Sequence, residues 1–499
     1  MIEELTGDLM AELTGARLIG CTLVSDSGST LMLLRPGGVE LCSSLVEGAP
    51  GPFTGAEFRL VARLARRGLV RLAAPPGRPT PAVSAVVPAL DSAGVSECLA
   101  SLARIPEVTE VVLVSDGSPQ ADQLACLAAT HGARFVALQA NHGPAAARNA
   151  GASLAGGEIL LFLDSDAAAL PGLSQLLRLF ASPKLSLAAP RIRSQGREAG
   201  RPLAAALAGY EALHSPLDMG PLPGEAGISP RYLPAACLAV RAADFHDLGG
   251  FDEHLRYGED VDLLWRLRKR GGIAYYSGSD GATHLARSTL GAFLRQRFSY
   301  GTSAAALVER HPGMLKHLLL DEVTAALAAF PLAGASLRLA TLADARRRLR
   351  TSAGRAGVDI QDLTVPSREV VAALAAEVSM LVRALGMPAL ALTGFSARLR
   401  SRLATLLGLL AVTRALQAAQ AGAALPRTLA TGVISVLDDL AYSAGLARGC
   451  AAKLSLAPYV PELRTGPLLS RLAQLASRST ARKGSAEGSP PSSGRSGPR

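Results

Sequence analysis

Most of the residues that could do chemistry are carboxylates that follow short apolar runs. Asp164-Ser165-Asp166 comes directly after Ile159–Leu163. In extended chain, residues i and i+2 point the same way. Two such carboxylates suit one shared task. They could hold Mg2+ or Mn2+ through hard oxygen ligands while substrate phosphates complete the shell, and contact a ribose hydroxyl. Pro88 and Asp91 follow a second apolar run, and Ser115-Asp116-Gly117-Ser118 follows a third. Between them, Gly143 and Pro144 open a helix whose N-terminus favours anions, and Arg148 on that helix could meet a base or a phosphate. Glu259, Asp260 and Asp262 fall in the first turn of a further helix after Gly258. Acids there complement the helix dipole in any protein, but one of them could also serve as a general base. His284 is either a third metal ligand or a structural histidine. A lone Asp-x-Asp is common in solvated loops, so the case depends on the elements that gather these side chains.

Those elements alternate. The pattern predicts strands at Ala82–Val87, Glu110–Val114, Arg134–Leu138 and Ile159–Leu163. Helices are predicted at Val95–Ile105, Pro119–His131 and Pro144–Leu154. Strands and helices alternating at this spacing imply a Rossmann-like, mostly parallel sheet with helices on both faces. Ligands of such sheets bind beyond the carboxyl ends of the strands, where the acids above lie. Residues 10–73 read differently: short strands, helices at Pro36–Val46 and Ala56–Arg67, then a strand, which together suggest a winged-helix-like module. Ala74–Pro81 reads as a Pro/Gly linker. Beyond 321 the strand signal ends and Ala/Leu-rich helices take over, with breaks near Gly354–Pro366, Met387–Pro388 and Pro426. Residues 478–499 read as a basic, Ser/Gly/Pro-rich disordered tail. The expected domains are therefore 1–80, 81–320, 321–477 and that tail.

Composition excludes several classes. With 49% hydrophobic and 18% charged residues the chain is not disordered. Six scattered cysteines without a Cys-x-x-Cys pair argue against a zinc ribbon or a disulfide framework and fit a reducing compartment. The net charge of +10 invites a nucleic-acid reading, but residues 81–320 carry a net −1 and the surplus lies after 321. Aromatic residues are only 4%, which also weakens base stacking, so no nucleic-acid partner is expected. No stretch reaches 18 uninterrupted apolar residues, so no membrane span is expected. The acidic start, MIEELTGDLM, lacks a signal pattern.

The order of the motifs carries a resemblance. Asp-Gly-Ser, then Asn-x-Gly-x4-Arg-Asn-x-Gly, then LFLDSD, GGFDE and GEDVDLLWRL resemble the family 2 glycosyltransferases of GT-A fold over about 81–290. YLPAACLAVR, RFSYGTSAAALVERHPG and DDLAYSAGLARG are further similar to the glycosyltransferases of mycofactocin systems, which extends the resemblance over nearly the whole chain. It implies an inverting, metal-dependent enzyme that moves a hexose, glucose from UDP-glucose, onto mycofactocin or its precursor as a short β-1,4-glucan. Asp164 would contact the ribose and Asp166 the metal, with His284 beside it. Asp260, next to Glu259, would be the general base. Pro88, Asp91, Ser115, Asp116, Gly143 and Arg148 would line the nucleotide-sugar site, and Trp265 and Asp218 are assigned to the acceptor. The family carries an acid where this chain has Ser115, and Gln120 replaces a later acid, so the nucleotide pocket departs from the pattern. Residues 10–73 are similar to peptide-recognition modules of ribosomal-peptide maturation. The expected location is cytoplasmic, with at most peripheral contact at the inner membrane face, and oligomeric state is not readable. The rival readings are transfer to an envelope glycan or lipid at the membrane surface, and a non-catalytic scaffold for peptide maturation.

Overall fold

The structure is a computed structural model. It describes residues 9–320 and 367–463, apart from 14–15, 26–30, 47, 51–52, 54, 66–68, 76, 197–200, 221–229, 316–318 and 461. The expectations for 321–366 and for the tail 478–499 lie outside the described residues.

The N-terminal unit opens with β1 (Met10–Leu13), β2 (Ala16–Ile19), β3 (Thr22–Ser25) and β4 (Leu31–Leu33). Helix α1 (Pro36–Val46), β5 (Ala49–Pro50), helix α2 (Gly55–Ala65) and β6 (Val70–Ala73) follow. β2, β3 and β4 form one antiparallel sheet, and β1 lies between β5 and β6 in another. Alternation sets the faces of β6: Val70 and Leu72 are buried, while Arg71 turns outward and bonds Glu12 across the ladder. The expected order of two helices and a strand is present, but that strand pairs with β1, at the other end of the unit. The Leu72 amide donates to the Tyr275 hydroxyl at 3.2 Å, and one buried apolar cluster runs from this unit into the next. The segment 74–81 thus joins two parts of a shared core.

The central unit runs β7 (Val83–Ala89), α3 (Val95–Leu102), β8 (Val108–Asp116), α4 (Ala121–Thr130), β9 (Arg134–Leu138), α5 (Pro144–Ala152), β10 (Ile159–Leu163) and β11 (Ala167–Ala169). It continues with α6 (Gly172–Arg178), β12 (Leu185–Gln195), α7 (Pro202–His214), β13 (Cys237–Arg241), α8 (Ala242–Asp247), α9 (Glu259–Lys269), β14 (Ile273–Leu285) and α10 (Leu290–Arg310). Eight strands form one sheet in the order β11-β14-β12-β13-β10-β7-β8-β9. The run β10-β7-β8-β9 is parallel, as expected. The sheet as a whole is mixed, because β13 runs antiparallel to both β10 and β12, and β11 antiparallel to β14. All five residues of β10 are buried, which explains its unbroken apolar run: helices cover both faces. Leu99, Leu102 and Leu124 pack on one face, and Phe245, Leu263 and Leu264 on the other.

Topology creates the site. β7, β8 and β10 end at one sheet edge, and β13 begins there, with Leu163 opposite Cys237. The chain entering β13 therefore passes the residues that leave β10, and the Asp164 amide donates to the Ala236 carbonyl at 3.1 Å.

Three helices follow the gap: α11 (Ser367–Leu392), α12 (Ala397–Gln420) and α13 (Leu425–Lys453). α11 and α12 meet through Val378, Val382 and Leu410. α13 packs on the central unit, with Ile434 against Leu207, Tyr210 and Phe293, and Leu446 and Cys450 against Ala304 and Ala305. The break expected at Met387–Pro388 does not occur. Pro388 stands inside α11, and the neighbouring Met387 amide donates to Ser443 Oγ of α13 at 2.9 Å, so packing carries the helix through. Pro426 does mark an end, in the first turn of α13.

The expectation of no membrane span, and with it a cytoplasmic protein touching the membrane only peripherally, is overturned. Leu374–Phe395, Ala397–Gln420 and Leu425–Lys453 are each long and apolar enough to cross a bilayer, with mean hydropathies of 1.5, 1.3 and 1.2. Demanding an unbroken apolar run was too strict, because isolated polar residues are tolerated where they face protein rather than lipid.

Candidate active site

A cavity of about 1140 Å³ opens at the sheet edge just described. Its lining includes Pro88, Asp91, Asp116, Gly143, Arg148, Asp164, Asp166, Glu259, Asp260, Trp265 and His284. Ser115 and Asp218 are not part of it.

The two residues outside the cavity have physical reasons to be there. Successive strand side chains point to opposite faces, so at the end of β8 Asp116 reaches the cavity while Ser115 is fully buried, its hydroxyl unpartnered among the described residues. Ser115 is thus not placed to take over the missing acid's contact. Asp218 is held by Arg191 at 2.7 Å and 2.9 Å and caps the Gly220 amide, which commits it to the fold. Trp265, buried, donates its indole N–H to the Arg231 carbonyl at 3.0 Å.

Around the loop after β8, Asp116 accepts from the His142 and Gly143 amides at 2.8 Å and 2.9 Å. It thereby aims the start of α5. Asp91 caps the Ala93 amide at 3.0 Å and is otherwise exposed, and Gln120 caps the Ser92 amide at 2.9 Å. Gln120 thus braces the loop after β7.

The three acids of α9 separate cleanly. Asp262 is wholly buried and accepts from Arg266 at 2.7 Å, with His311 Nε2 also 2.7 Å away. Glu259 is buried and accepts from Arg148 at 2.7 Å, and burial together with Asp260 pushes its carboxyl up to about 7 against that cation. Of the three, Asp260 faces the cavity with no cation bonded to it among the described residues. It accepts from the Ala235 amide at 3.1 Å and the Val261 amide at 2.8 Å. Burial lifts it above the ordinary aspartate range, although those bonds and the Arg148 charge favour its ionised form.

Arg148 proves to be a brace. Its guanidinium also donates to Asp164 at 2.7 Å, sits over the Phe251 ring at 5.6 Å, and is 4% exposed. It ties the end of β10 to the start of α9, its bond to Glu259 spanning 111 residues of sequence.

Asp164, Asp166 and His284 each offer a ligand atom, all within 4.8 Å of one another. The register Ala167↔His284 between β11 and β14 brings the histidine beside Asp166, with Nε2 3.1 Å from its carboxylate. Arg287, which the sequence reading missed, lies 3.2 Å from the other oxygen. Its position three residues after His284 was the available signal. Burial works against the Asp166 charge, but His284 and Arg287 hold its carboxyl below the ordinary range. Burial likewise opposes charge on His284, and Asp166 prevails in raising it. Two hard oxygens and one imidazole, converging in an open cavity, fit Mg2+ or Mn2+ completed by substrate phosphates.

Comparison with known proteins adds to this geometry. Residues 84–223 match the profile of glycosyl transferase family 2. A pre-mycofactocin glycosyltransferase of Mycobacterium tuberculosis (strain CDC 1551 / Oshkosh) is 33% identical over 403 residues, 77% of this chain and 82% of that protein. Its counterpart in strain ATCC 25618 / H37Rv gives the same figures. Among solved structures, the mannosyltransferase PcManGT of Pyrobaculum calidifontis, in complex with GDP-Man and Mn2+, is similar at 20% identity and a TM-score of 0.39, over 60% of this chain and 91% of that one.

Proposed function

The chain belongs to glycosyltransferase family 2, and from that premise we propose that it transfers glucose from UDP-glucose to mycofactocin or its precursor, with inversion, extending it as a short β-1,4-glucan. One observation carries the transfer chemistry: a single cavity holds the Asp164–Asp166–His284 cluster and a carboxylate, Asp260, that no cation bonds among the described residues, while the sugar and acceptor are supported by the likeness to the pre-mycofactocin glycosyltransferases.

Asp260 takes the proton of the acceptor hydroxyl as its oxygen forms the new bond to the anomeric carbon. The bond from that carbon to the diphosphate oxygen breaks on the opposite face, so an α-linked donor gives a β-glycoside. Asp164, Asp166 and His284 would hold Mg2+ or Mn2+, which when bound offsets charge developing on the departing diphosphate. Asp91, Asp116 and Gly143 flank the nucleotide. Arg148 keeps Asp164 and the α9 turn in register. The N-terminal unit is proposed to recognise the peptide-derived acceptor or a partner.

The test is mass spectrometry of products from a panel of nucleotide sugars with the mycofactocin precursor. Mass increments of one hexose, with UDP-glucose preferred, are expected. No increment on the precursor with any donor sinks the acceptor assignment. The three apolar helices favour a second reading, transfer to a lipid or envelope glycan, which a lipid-linked acceptor in the same panel distinguishes.

A further inference from the structure

The segment 438–449 of α13 lies far from the strands in sequence, yet it reaches the cavity. Gly445 and Gly449 explain how. A side chain at Gly445 would run into the Phe298 carbonyl of α10, and one at Gly449 would place its Cβ 2.5 Å from the Thr302 carbonyl. The two helices therefore touch backbone to backbone at Gly445, Gly449 and Gly301, a contact that small residues alone permit. That contact fixes the register of α13. Three residues before Gly445, Tyr442 enters the cavity wall, together with Arg383 of α11 and Gln296 and Tyr300 of α10. Arg383 sits over the Tyr442 ring at 5.2 Å and donates to Asp439 at 2.5 Å. Arg297 holds the assembly together, bonding Glu211 at 2.8 Å and lying 3.3 Å from Asp438, which accepts from Tyr210 at 2.9 Å.

Resting on the glycosyl-transfer reading above, we propose that the C-terminal helices complete the acceptor site, and that Gln296, Tyr300, Arg383 and Tyr442 form a subsite for a neutral, hydroxyl-bearing ring. Three observations set the ligand class. The cavity, at about 1140 Å³, exceeds the usual 300–1,000 Å³ of a small-molecule site, which leaves room beside one nucleotide sugar. Gln296 Oε1 is buried without a partner among the described residues, so it is ready to accept from a ligand hydroxyl. Arg297 and Arg383, both in the wall, are paired with Glu211, Asp438 and Asp439, and these five charges sum to −1. Arg383 is thus already neutralised, and this part of the wall offers a ligand tyrosine rings to stack on and an amide to share hydrogen bonds with.

The probe is phenyl β-D-glucoside, titrated calorimetrically into the full chain saturated with UDP. Wild type is expected to bind it. Gln296→Leu and Tyr442→Ala are expected to weaken it about tenfold, the worth of one good hydrogen bond or ring contact, with UDP affinity unchanged. Tyr442→Phe keeps the ring and should bind as wild type, which separates lost contact from misfolding. The subsite is refuted if wild type does not bind the glucoside, if the truncations bind it equally well, or if UDP affinity falls in step. Failure to glycosylate the mycofactocin precursor, with glucoside binding intact, would count against the proposed acceptor alone.

Discussion

Replacing Arg148 with methionine tests whether this residue is a brace or a nucleotide contact. The substitution roughly keeps volume and removes two charge-assisted bonds of 2.7 Å, to Glu259 and Asp164. It leaves Glu259, 7% exposed, without its cation. Breaking one side of a buried pair costs about 3–5 kcal/mol. At about 2–4 °C per kcal/mol for a unit of this size, the melting temperature should fall by about 6–20 °C. The loss should also depend on pH. Burial already holds Glu259 at about 7 in the folded wild type, above its unfolded value, so ionising it opposes folding as pH rises. Without Arg148 its folded value moves higher still. Below about pH 7 both proteins carry the proton and the deficit is at its floor. Above it wild type ionises first, and the deficit grows. Thermal melts at pH 6 and pH 8.5 measure this. A variant that melts within 2 °C of wild type and shows only a raised donor KM would refute the brace. A deficit that shrinks at high pH would refute the electrostatic account.

Asp260→Asn should lower kcat by about 10²–10⁴ while leaving UDP affinity intact, because a lost general base costs that range. Since burial lifts Asp260, the acid limb of its pH–rate profile should lie above the ordinary aspartate range, with activity lost as pH falls and the carboxyl takes up its proton. Chelation, or Asp166→Ala, should abolish UDP release, and Mn2+ should restore activity only to the chelated wild type. Gly449→Leu should detach α13 from α10 at a cost of about 1–3 kcal/mol or more, read as loss of acceptor turnover with UDP binding retained.

What was legible in the sequence follows physical lines. β9 and β10 occupy the expected residues because short apolar runs between polar turns leave little freedom. The acids at the strand ends were legible because parallel topology sends them to one edge. β13 was not marked off in the same way, and only the sheet makes it antiparallel. Partners distant in sequence were equally hidden. Asp218 looks like a loop acid until Arg191 is beside it, and Arg148 looks exposed until the chain brings Glu259 back across it. Ser115 was misplaced for a local reason: strand alternation alone could have turned it away from Asp116.

The C-terminal helices show why an unbroken apolar run was the wrong criterion. On α13, Leu425, Leu429 and Val433 recur at i, i+4 and i+8 and are 60–70% exposed, an outward apolar stripe. Asp438, Asp439, Tyr442, Gly445 and Gly449 on the same helix face protein or the cavity. A helix that meets lipid on one side and a polar site on the other must interrupt its apolar sequence with the residues that site needs. The acids that break the run are thus the ones that hold Arg383 against Tyr442. The basic surplus after 321 is set apart from them: in the described helices Arg398 and Arg400 are exposed in the first turn of α12, beside Phe395 at 88% exposure. Cations flanking an exposed apolar tip match a membrane interface, and none of that charge is needed to hold the diphosphate, which the acids at the sheet edge would bind through a metal ion.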